Sequence, residues 1–150
     1  MDNVIIKKAS DKDIPNILGL LYELGRPKPQ KDSDVDAFRK LVKKYLKDSD
    51  KQILLAVRNE IEIVGMVSIV FLPRLNRINF EMYIPELIVL EKYQKQGIGK
   101  KMINSCIALA KEKKCYRIRL ESGNQRKDSH KFYTNLGFEQ SSLSFTKNLN

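Results

Sequence analysis

An amphipathic helix predicted past the middle of the chain constrains the fold more than any other feature of the sequence. From Gly97 to Lys114, apolar residues recur at helical spacing on one face and lysines occupy the other. The apolar set is Ile98, Met102, Ile103, Cys106, Ile107 and Ala110. Strand patterns precede and follow this helix, and parallel neighbours in a sheet need a crossover, which is usually a helix. The arrangement predicts a mixed α/β sheet.

The other patterns predict the order β-α-α-β-β-β-α-β-α-β. Strands are predicted at Val4 to Lys7, Gln52 to Val57, Ile63 to Leu72, Ile78 to Ile84, Tyr116 to Leu120 and Phe138 to Phe145. A first helix is predicted to begin at Ser10 and stop at Gly25, a second to be capped by Ser33 or Asp34, and a last to run from Asp128 to Leu136. Arg58-Asn59-Glu60 predicts a hairpin turn. No repeat or linker interrupts the pattern, so one domain is predicted over residues 1–150.

Composition excludes several classes of protein. With 42% hydrophobic and 31% charged residues, the chain is neither disordered nor fibrous. Its longest mostly apolar run, Ile63 to Leu72, is far shorter than the ~18 residues of a membrane helix, so no segment is expected to span a membrane. The N-terminus lacks the pattern of a signal peptide, and Cys106 and Cys115 are compatible with a reducing compartment. We therefore expect a cytoplasmic protein.

The net charge of +10 favours an anionic partner. It is uneven, because Glu91 to Asn150 contains 13 basic and 5 acidic residues. Nucleic acid, a phosphate-bearing small molecule, a membrane surface and a merely solvated basic face all remain open at this point. Nucleic acid is the weaker alternative, since the chain has no arginine-rich run and acidic residues are interleaved through its first ninety positions.

A glycine-containing segment before the central helix predicts an anion site. In Leu87 to Lys100 an apolar strand ends, a short turn follows, and Gly97 and Gly99 open the helix. The first backbone N–H groups of a helix lack partners and lie at the positive end of its dipole, where they bind anions. Glycines allow close approach, and lysines 95, 100 and 101 add charge. Alone, the pattern is also compatible with tight packing.

Together with a second segment, this one resembles the GNAT superfamily of acetyl-CoA-dependent N-acetyltransferases. Gln94-Lys95-Gln96-Gly97-Ile98-Gly99 is similar to the family's Arg/Gln-x-x-Gly-x-Gly/Ala pyrophosphate motif, and Phe132 to Phe138 is similar to its Phe-Tyr-x-x-x-Gly-Phe motif. The resemblance runs from about Ile84 to Phe138 and implies the family's mixed, mostly antiparallel sheet flanked by helices.

The resemblance also implies roles for individual residues. Backbone groups of Ile88 and Val89 would pair with the pantetheine arm of acetyl-CoA. The pyrophosphate would be held by Gln94, Lys95, Gln96, Gly97, Ile98, Gly99 and Lys100. Tyr133 would lie near the thioester sulfur, where a phenol with a pKa near 10 could protonate a departing thiolate. The alternative for Tyr133 is an amphipathic residue of the core.

A protonated amine must lose a proton before it can attack, so a base is needed. Glu86 is the candidate, because the alternation of Ile78, Phe80, Met82 and Ile84, if continued, places it beside Ile88 at the strand end. Pro85 stands where family members commonly have an acidic residue, and it predicts an edge, a strand end or a bulge. Glu81 is the weaker candidate, and Glu86 could instead be an exposed or lysine-paired carboxylate.

Other chemistries are poorly supported by the sequence. One histidine and two cysteines do not form a zinc set or a nucleophile with its base, so no metal is expected and direct transfer in a ternary complex is favoured. His130 could contact cofactor or substrate, or serve local packing. Arg126 could meet a phosphate or pair with Glu121.

The sequence leaves three candidate functions. The first is an N-acetyltransferase acting on a primary amine of a small molecule or peptide, with the acceptor shaped by the loops at Gly25 to Ser33 and Pro73 to Arg77. The second is a basic nucleic-acid-binding module, and the third is a GNAT-like domain that binds acyl-CoA without catalysis. A homodimer is common in the superfamily and stays open as the assembly.

Overall fold

The computed structural model describes residues 3–150 and confirms the predicted fold class. Its strands are β1 (Val4–Lys8), β2 (Lys51–Arg58), β3 (Glu62–Arg74), β4 (Arg77–Ile84), β5 (Leu87–Val89) and β6 (Arg117–Leu120). Its helices are α1 (Ile14–Glu23), α2 (Asp32–Lys47), α3 (Ile98–Glu112) and α4 (Lys127–Asn135). The six strands form one mostly antiparallel sheet flanked by helices.

The sheet is built outward from β3. Strand order is β1-β2-β3-β4-β6, and the short β5 pairs with β3 beside β4 along the same edge. The predicted hairpin between β2 and β3 is confirmed, with Asn59 and Glu60 at positive φ values of 51° and 67°. These left-handed conformations match the twist of the flanking strands.

The chain forms two compact units, the first ending at Arg119 and the second beginning at Leu120. In the first unit α1 and α2 cover one face of the sheet, where Ile17 and Leu55 are fully buried and Met66 is almost so. Gly65, the neighbour of Met66, points to the other face, because a Cβ added to it would approach Met102 of α3. The sheet is thus enclosed between two helical layers.

Helix ends in the first unit differ in part from the predictions. Ser10 caps the single 3-10 turn at Asp11–Asp13 that precedes α1, rather than α1 itself. Gly25, at φ 96°, ends the helix as predicted and allows Arg26 to donate its N–H to the carbonyl of Leu21. The predicted caps Ser33 and Asp34 are wrong, because α2 already begins at Asp32, with Lys31 as its N-cap.

The second unit contains α4, which ends before Gly137 at φ 91°. The strand predicted from Phe138 to Phe145 is wrong: residues 138–150 form no helix or strand, and Leu143 and Phe145 are exposed. Alternating residues form a strand only where a neighbouring backbone pairs with them. The expectation of one domain over residues 1–150 stays a prediction. In the part of the chain described, no helix is both long and apolar enough to cross a membrane.

Candidate active site

The consecutive strands β4 and β5 both pair with β3, and their pairing registers differ by one residue. Tyr83 of β4 lies opposite Val70 of β3. Ile88 of β5 lies opposite Met66 of β3. The β4–β5 segment advances five residues while β3 advances four, so it accommodates one extra residue. This is a β-bulge, and it falls at Pro85 and Glu86.

The bulge changes which face of the sheet Glu86 occupies. Before it, Met82 and Ile84 point toward α3, whereas after it Glu86 and Ile88 share the face covered by α1 and α2. The expectation that alternation continues unbroken from Ile84 to Glu86 is therefore wrong, although Glu86 does share a face with Ile88. Pro85 cannot donate a ladder hydrogen bond, and its position in the bulge agrees with the prediction for a strand proline.

Glu86 is a partly buried carboxylate that accepts hydrogen bonds from two side chains. Its side chain is 22% exposed. Ser68 of β3 donates its hydroxyl to Oε1 at 2.5 Å, and Arg26 donates Nη2 to Oε2 at 3.1 Å. Arg26 Nη2 also donates to the carbonyl of Pro85 at 3.2 Å, and the Glu86 N–H donates to Ser68 Oγ at 2.9 Å. The Ser68 hydroxyl therefore binds both the carboxylate and the backbone N–H of Glu86.

A half-buried phenol, that of Tyr45, completes this cluster. Tyr45 of α2 donates its hydroxyl to the carbonyl of Ile69 at 2.8 Å. Burial raises the pKa of Tyr45 above its usual 10.0, and the negative charge of Glu86 raises it further, against the opposing effect of a hydrogen bond with Ser68. Tyr45 consequently remains a neutral hydrogen-bond donor.

The strand that follows the bulge has one unpaired edge. Among the described residues β5 pairs only with β3. Leu90 donates its N–H to the carbonyl of Val64, and Ser68 donates its N–H to the carbonyl of Glu86, both at 2.9 Å. Because backbone groups alternate between the two sides of an antiparallel strand, those of Ile88 also face β3.

Leu87 and Val89 therefore present their backbone groups to the free edge of β5. The role that the resemblance implied for the backbone of Ile88 needs correction, since its N–H and C=O lie on the β3 side. For Val89 that role stays a prediction: its N–H lies at the free edge, while its carbonyl accepts a hydrogen bond from Gln94 Nε2 at 2.9 Å. An extended chain with amide groups could add to this edge as a further strand would.

The loop after β5 has the features of an anion cradle. Gly97 adopts φ 86° as the N-cap of α3, and a Cβ added to it would meet nothing within 4 Å. The space before the first turn of α3 is therefore open, and its N–H groups point into it. Lys95 and Lys100 are exposed beside it, whereas the Ile98 side chain is buried and only its backbone can contribute. These features fit the pyrophosphate of acetyl-CoA.

Three contacts connect the cradle to the sheet. Tyr93, in the 3-10 turn Glu91–Tyr93, is 6% exposed and donates its hydroxyl to Glu62 Oε1 at 2.8 Å, which lowers the pKa of Glu62. Arg58 lies over the Tyr93 ring at 5.1 Å. Lys101 donates to the carbonyl of Val4, so its charge is directed to β1 rather than to the cradle as the sequence suggested.

Glu81, the weaker candidate for the base, has a structural role in this fold. Its side chain is fully buried and bonded to Arg117 and to Arg119 Nε, the latter at 3.0 Å, with Arg74 Nη1 at 3.8 Å. Burial alone would raise the pKa of Glu81, but the hydrogen bonds and charges of Arg117 and Arg119 outweigh it and hold the pKa below the usual 4.5. A carboxylate that is hydrogen-bonded to two arginines, with a third nearby, cannot easily accept a proton.

The second unit contains the predicted acid. Tyr133 lies on α4, half-buried, with its ring edge-on to Phe132 at 5.2 Å and to Phe138 at 5.8 Å. His130 Nε2 lies 2.7 Å from the carbonyl of Gly123, which favours its local role. The role of Tyr133 stays a prediction based on the resemblance.

Sequence reasoning missed three members of the Glu86 cluster: Arg26, Ser68 and Tyr45. The sequence contains one general indication of them: Arg26 lies in the loop from Gly25 to Ser33, which was expected to shape the acceptor site.

Cys106, which the helical pattern placed in the core, is fully buried, and burial raises its pKa to about 12.

Comparison with known proteins gives matches over most of the chain. A family model described as "Acetyltransferase (GNAT) family" matches residues 17–138. An aminoalkylphosphonate N-acetyltransferase of Salmonella typhimurium (strain LT2) is 31% identical over 144 residues, which are 96% of this chain and 90% of that protein.

Solved structures show the same fold. A transcriptional regulator from Bacillus halodurans C-125 superposes with a TM-score of 0.83 at 26% identity, covering 98% of this chain and all of that one. The aminoglycoside N-acetyltransferase AAC(6')-Iy in complex with CoA superposes with a TM-score of 0.85 at 16% identity, covering 99% of this chain and 96% of that one.

Proposed function

The chain belongs to the GNAT acetyltransferase family, and from that premise we propose that it transfers the acetyl group of acetyl-CoA to the primary amine of a small aminoalkyl acceptor. Aminoalkylphosphonates are the acceptor class to test first, because the Salmonella relative that acts on them matches nearly the whole length of this chain. Members of this family use acetyl-CoA, and a structural neighbour was solved with CoA bound.

One observation carries the proposal. Within residues 86–100 the first unit places, in sequence, a partly buried carboxylate at a bulge, a strand with a free backbone edge, and an open helix N-terminus flanked by lysines. The order corresponds to the parts of the reaction: a base for the amine, an edge for the amide-containing pantetheine arm, and a cradle for the pyrophosphate.

We assign the binding of acetyl-CoA to these backbone groups. The cofactor supplies an acetyl group activated as a thioester. Leu87 and Val89 would hold its pantetheine arm through their outward backbone groups. The pyrophosphate would lie on the first N–H groups of α3, with Gly97 leaving room and the exposed Lys95 and Lys100 adding charge.

We assign the proton from the acceptor amine to Glu86. An amine with a pKa near that of lysine, ~10.4, is mostly protonated at pH 7, and freeing it costs roughly 4–5 kcal/mol. Glu86 is held by Ser68 and can take that proton directly or through a water. Tyr133, by resemblance to the family, would protonate the departing thiolate.

Ligand-induced stabilisation tests the cradle. CoA at 100 times its dissociation constant should add about 2.7 kcal/mol to the free energy of unfolding of the wild-type protein. Gly97→Asp should abolish this gain, because a carboxylate opposes the phosphates at the same place. Gly97→Asn is the matched control, since asparagine tolerates positive φ without the charge and should retain part of the gain. Equal losses in both variants would contradict an electrostatic role for the cradle.

An acceptor panel tests the activity. The purified protein is incubated with acetyl-CoA and 2-aminoethylphosphonate, aminomethylphosphonate, an aminoglycoside or a lysine peptide, and the release of CoA thiol and the acetylated product are measured. We expect transfer to at least one aminoalkylphosphonate. Binding of CoA with no transfer to any amine would favour a non-catalytic domain, and binding of short DNA in place of CoA would favour a nucleic-acid module.

Location and assembly belong to the same proposal. Cys106 and Cys115 are both free thiols, which supports a reducing compartment such as the cytoplasm. A homodimer is proposed only from the family resemblance, and sedimentation of the purified protein with and without CoA would test it.

A further inference from the structure

The guanidinium of Arg26 has unused donors beside the proposed base. Its Nη2 bonds Glu86 Oε2 and the carbonyl of Pro85, and in residues 3–150 its Nε and Nη1 have no hydrogen-bond partner. The Arg26 side chain is 48% exposed. A planar fork with free, accessible N–H groups is suited to bidentate binding of an oxyanion.

The surroundings of Arg26 leave it no competing acidic partner. It lines a groove of about 300 Å³ between α1 and α2, and the other lining residues, among them Leu21, Pro27 and Phe38, offer no acidic side chain. The apolar walls of the groove suit an alkyl chain. The ion pair of Arg26 with Glu86 lies at the bulge.

From this geometry, and resting on the proposed function, we propose that Arg26 determines acceptor specificity by binding the anionic group of a zwitterionic amine. The Arg26–Glu86 ion pair separates when such an acceptor enters, its ammonium group bonding Glu86 and its phosphonate or carboxylate bonding Arg26. Both protein charges are then paired again. A neutral amine leaves Arg26 without a partner, and a polycation such as an aminoglycoside places a further positive charge beside it.

The two partners differ in a way that permits this separation. Glu86 is fixed, because Ser68 bonds its carboxylate and receives its backbone N–H. Arg26 lies just after α1, beyond the left-handed Gly25, and within residues 3–150 its side chain makes only the two hydrogen bonds from Nη2. An ion pair with one exposed partner is weak, so a ligand can replace it.

Calorimetric titration of the CoA-saturated protein tests the proposal. The ligands are 2-aminoethylphosphonate and 2-aminoethanol, which share the amine and differ in the anion. The wild-type protein should bind the phosphonate at least about tenfold more tightly, because a charge-assisted hydrogen bond to an ion is typically worth a factor of 10 to 100. Arg26→Gln should remove most of that preference, and Arg26→Lys should keep part of it. The matched control is Arg39→Gln on the exposed side of α2, which should bind both ligands as the wild type does.

Opposite results would overturn the proposal. Equal weakening of both ligands by Arg26→Gln would mean that Arg26 only positions Glu86, and a wild-type protein without preference, or without affinity for either ligand, would exclude the anion site. Failure of the proposed function is distinguishable, because it appears as absence of acetyl transfer while Arg26-dependent binding of the phosphonate persists. Transfer with no change of preference in Arg26→Gln would instead refute this inference alone.

Discussion

Glu81 and Glu86 lie on the same face of one sheet, on either side of a single bulge, and their surroundings differ in almost every respect. Glu81 is fully buried and bonded by Arg117 and Arg119, with Arg74 nearby. Glu86 is 22% exposed, and its oxygens accept hydrogen bonds from a serine hydroxyl and from one half-exposed arginine. The first is enclosed by positive charge, whereas the second can exchange its ionic partner.

The difference shows how a chain assigns two roles to one residue type. Arg117 and Arg119 stabilise the charged form of Glu81 enough that its pKa falls despite burial. With Arg74 of β3 as a further ion-pair partner at 3.8 Å, Glu81 links β4 to β6 and to β3. Glu86 lies where the bulge interrupts pairing with β3, so its carboxylate is held by Ser68 without being enclosed. Only Glu86 has room for a ligand to approach.

The largest effect is expected on stability at Glu81. Glu81→Gln should lower the free energy of unfolding by about 3 kcal/mol, the low end for breaking a buried ion pair, because the three guanidinium groups are partly exposed. Urea denaturation measures it, and Glu112→Gln on the surface of α3 is the control, expected within about 0.5 kcal/mol of wild type. A loss no larger than the control's would show that Glu81 does not hold the sheet together.

Acid unfolding sharpens the same point. The folded-state pKa of Glu81 is lowered, so its stabilisation is complete above the unfolded value near 4.5 and is lost as pH falls through the folded value. The difference in unfolding free energy between wild type and Glu81→Gln should be constant above about pH 5.5 and shrink below 4.5. A difference that grows on acidification would contradict the direction of the shift.

The next largest effect is expected on turnover at Tyr133, the proposed acid. Tyr133→Phe should lower turnover by about 100-fold and leave the affinity for acetyl-CoA within a few fold, because the ring and its packing survive while the hydroxyl is lost. Steady-state kinetics with an acceptor from the panel measures both. Turnover equal to wild type would assign protonation of the thiolate to another group, with Glu86 the first to examine.

The smallest effect concerns the residue that holds Glu86. Ser68→Ala removes the donor to Oε1 and the acceptor of the Glu86 N–H, and should lower kcat/KM by about fivefold, close to the value of one hydrogen bond. Ser68→Thr keeps the hydroxyl and should restore most of the activity. If alanine and threonine behave alike, the hydroxyl does not position the carboxylate.

Local sequence patterns were enough to predict α3, the hairpin turn and most of the sheet. The helix at α3, the turn at Asn59 and Glu60, and the glycine at 97 each follow from contacts between near neighbours in the chain. The predicted strand from Phe138 to Phe145 failed because pairing, which alternation does not reveal, decides whether a strand forms.

The site around Glu86 needed the structure, because its parts are distant in sequence. Arg26 is 60 residues from Glu86, and Ser68 is 18 residues away. Pro85 signalled an interruption, but the one-residue shift that places Glu86 on the face of Ile88 appears only in the register against β3. Such a shift reverses which residues share a face, and no composition or period predicts it.

The pH dependence of kcat/KM for wild type and Glu86→Gln, from pH 6 to 10, tests most directly whether Glu86 is the base. With an acceptor whose amine pKa is near 10.4, we expect a loss of about 100-fold near pH 7 that diminishes as free amine becomes abundant, until the two profiles converge at high pH. The unfolding free energies of the two proteins should meanwhile agree within about 1 kcal/mol. A constant offset between parallel profiles would make Glu86 a positioning residue, and superimposed profiles would contradict its role altogether.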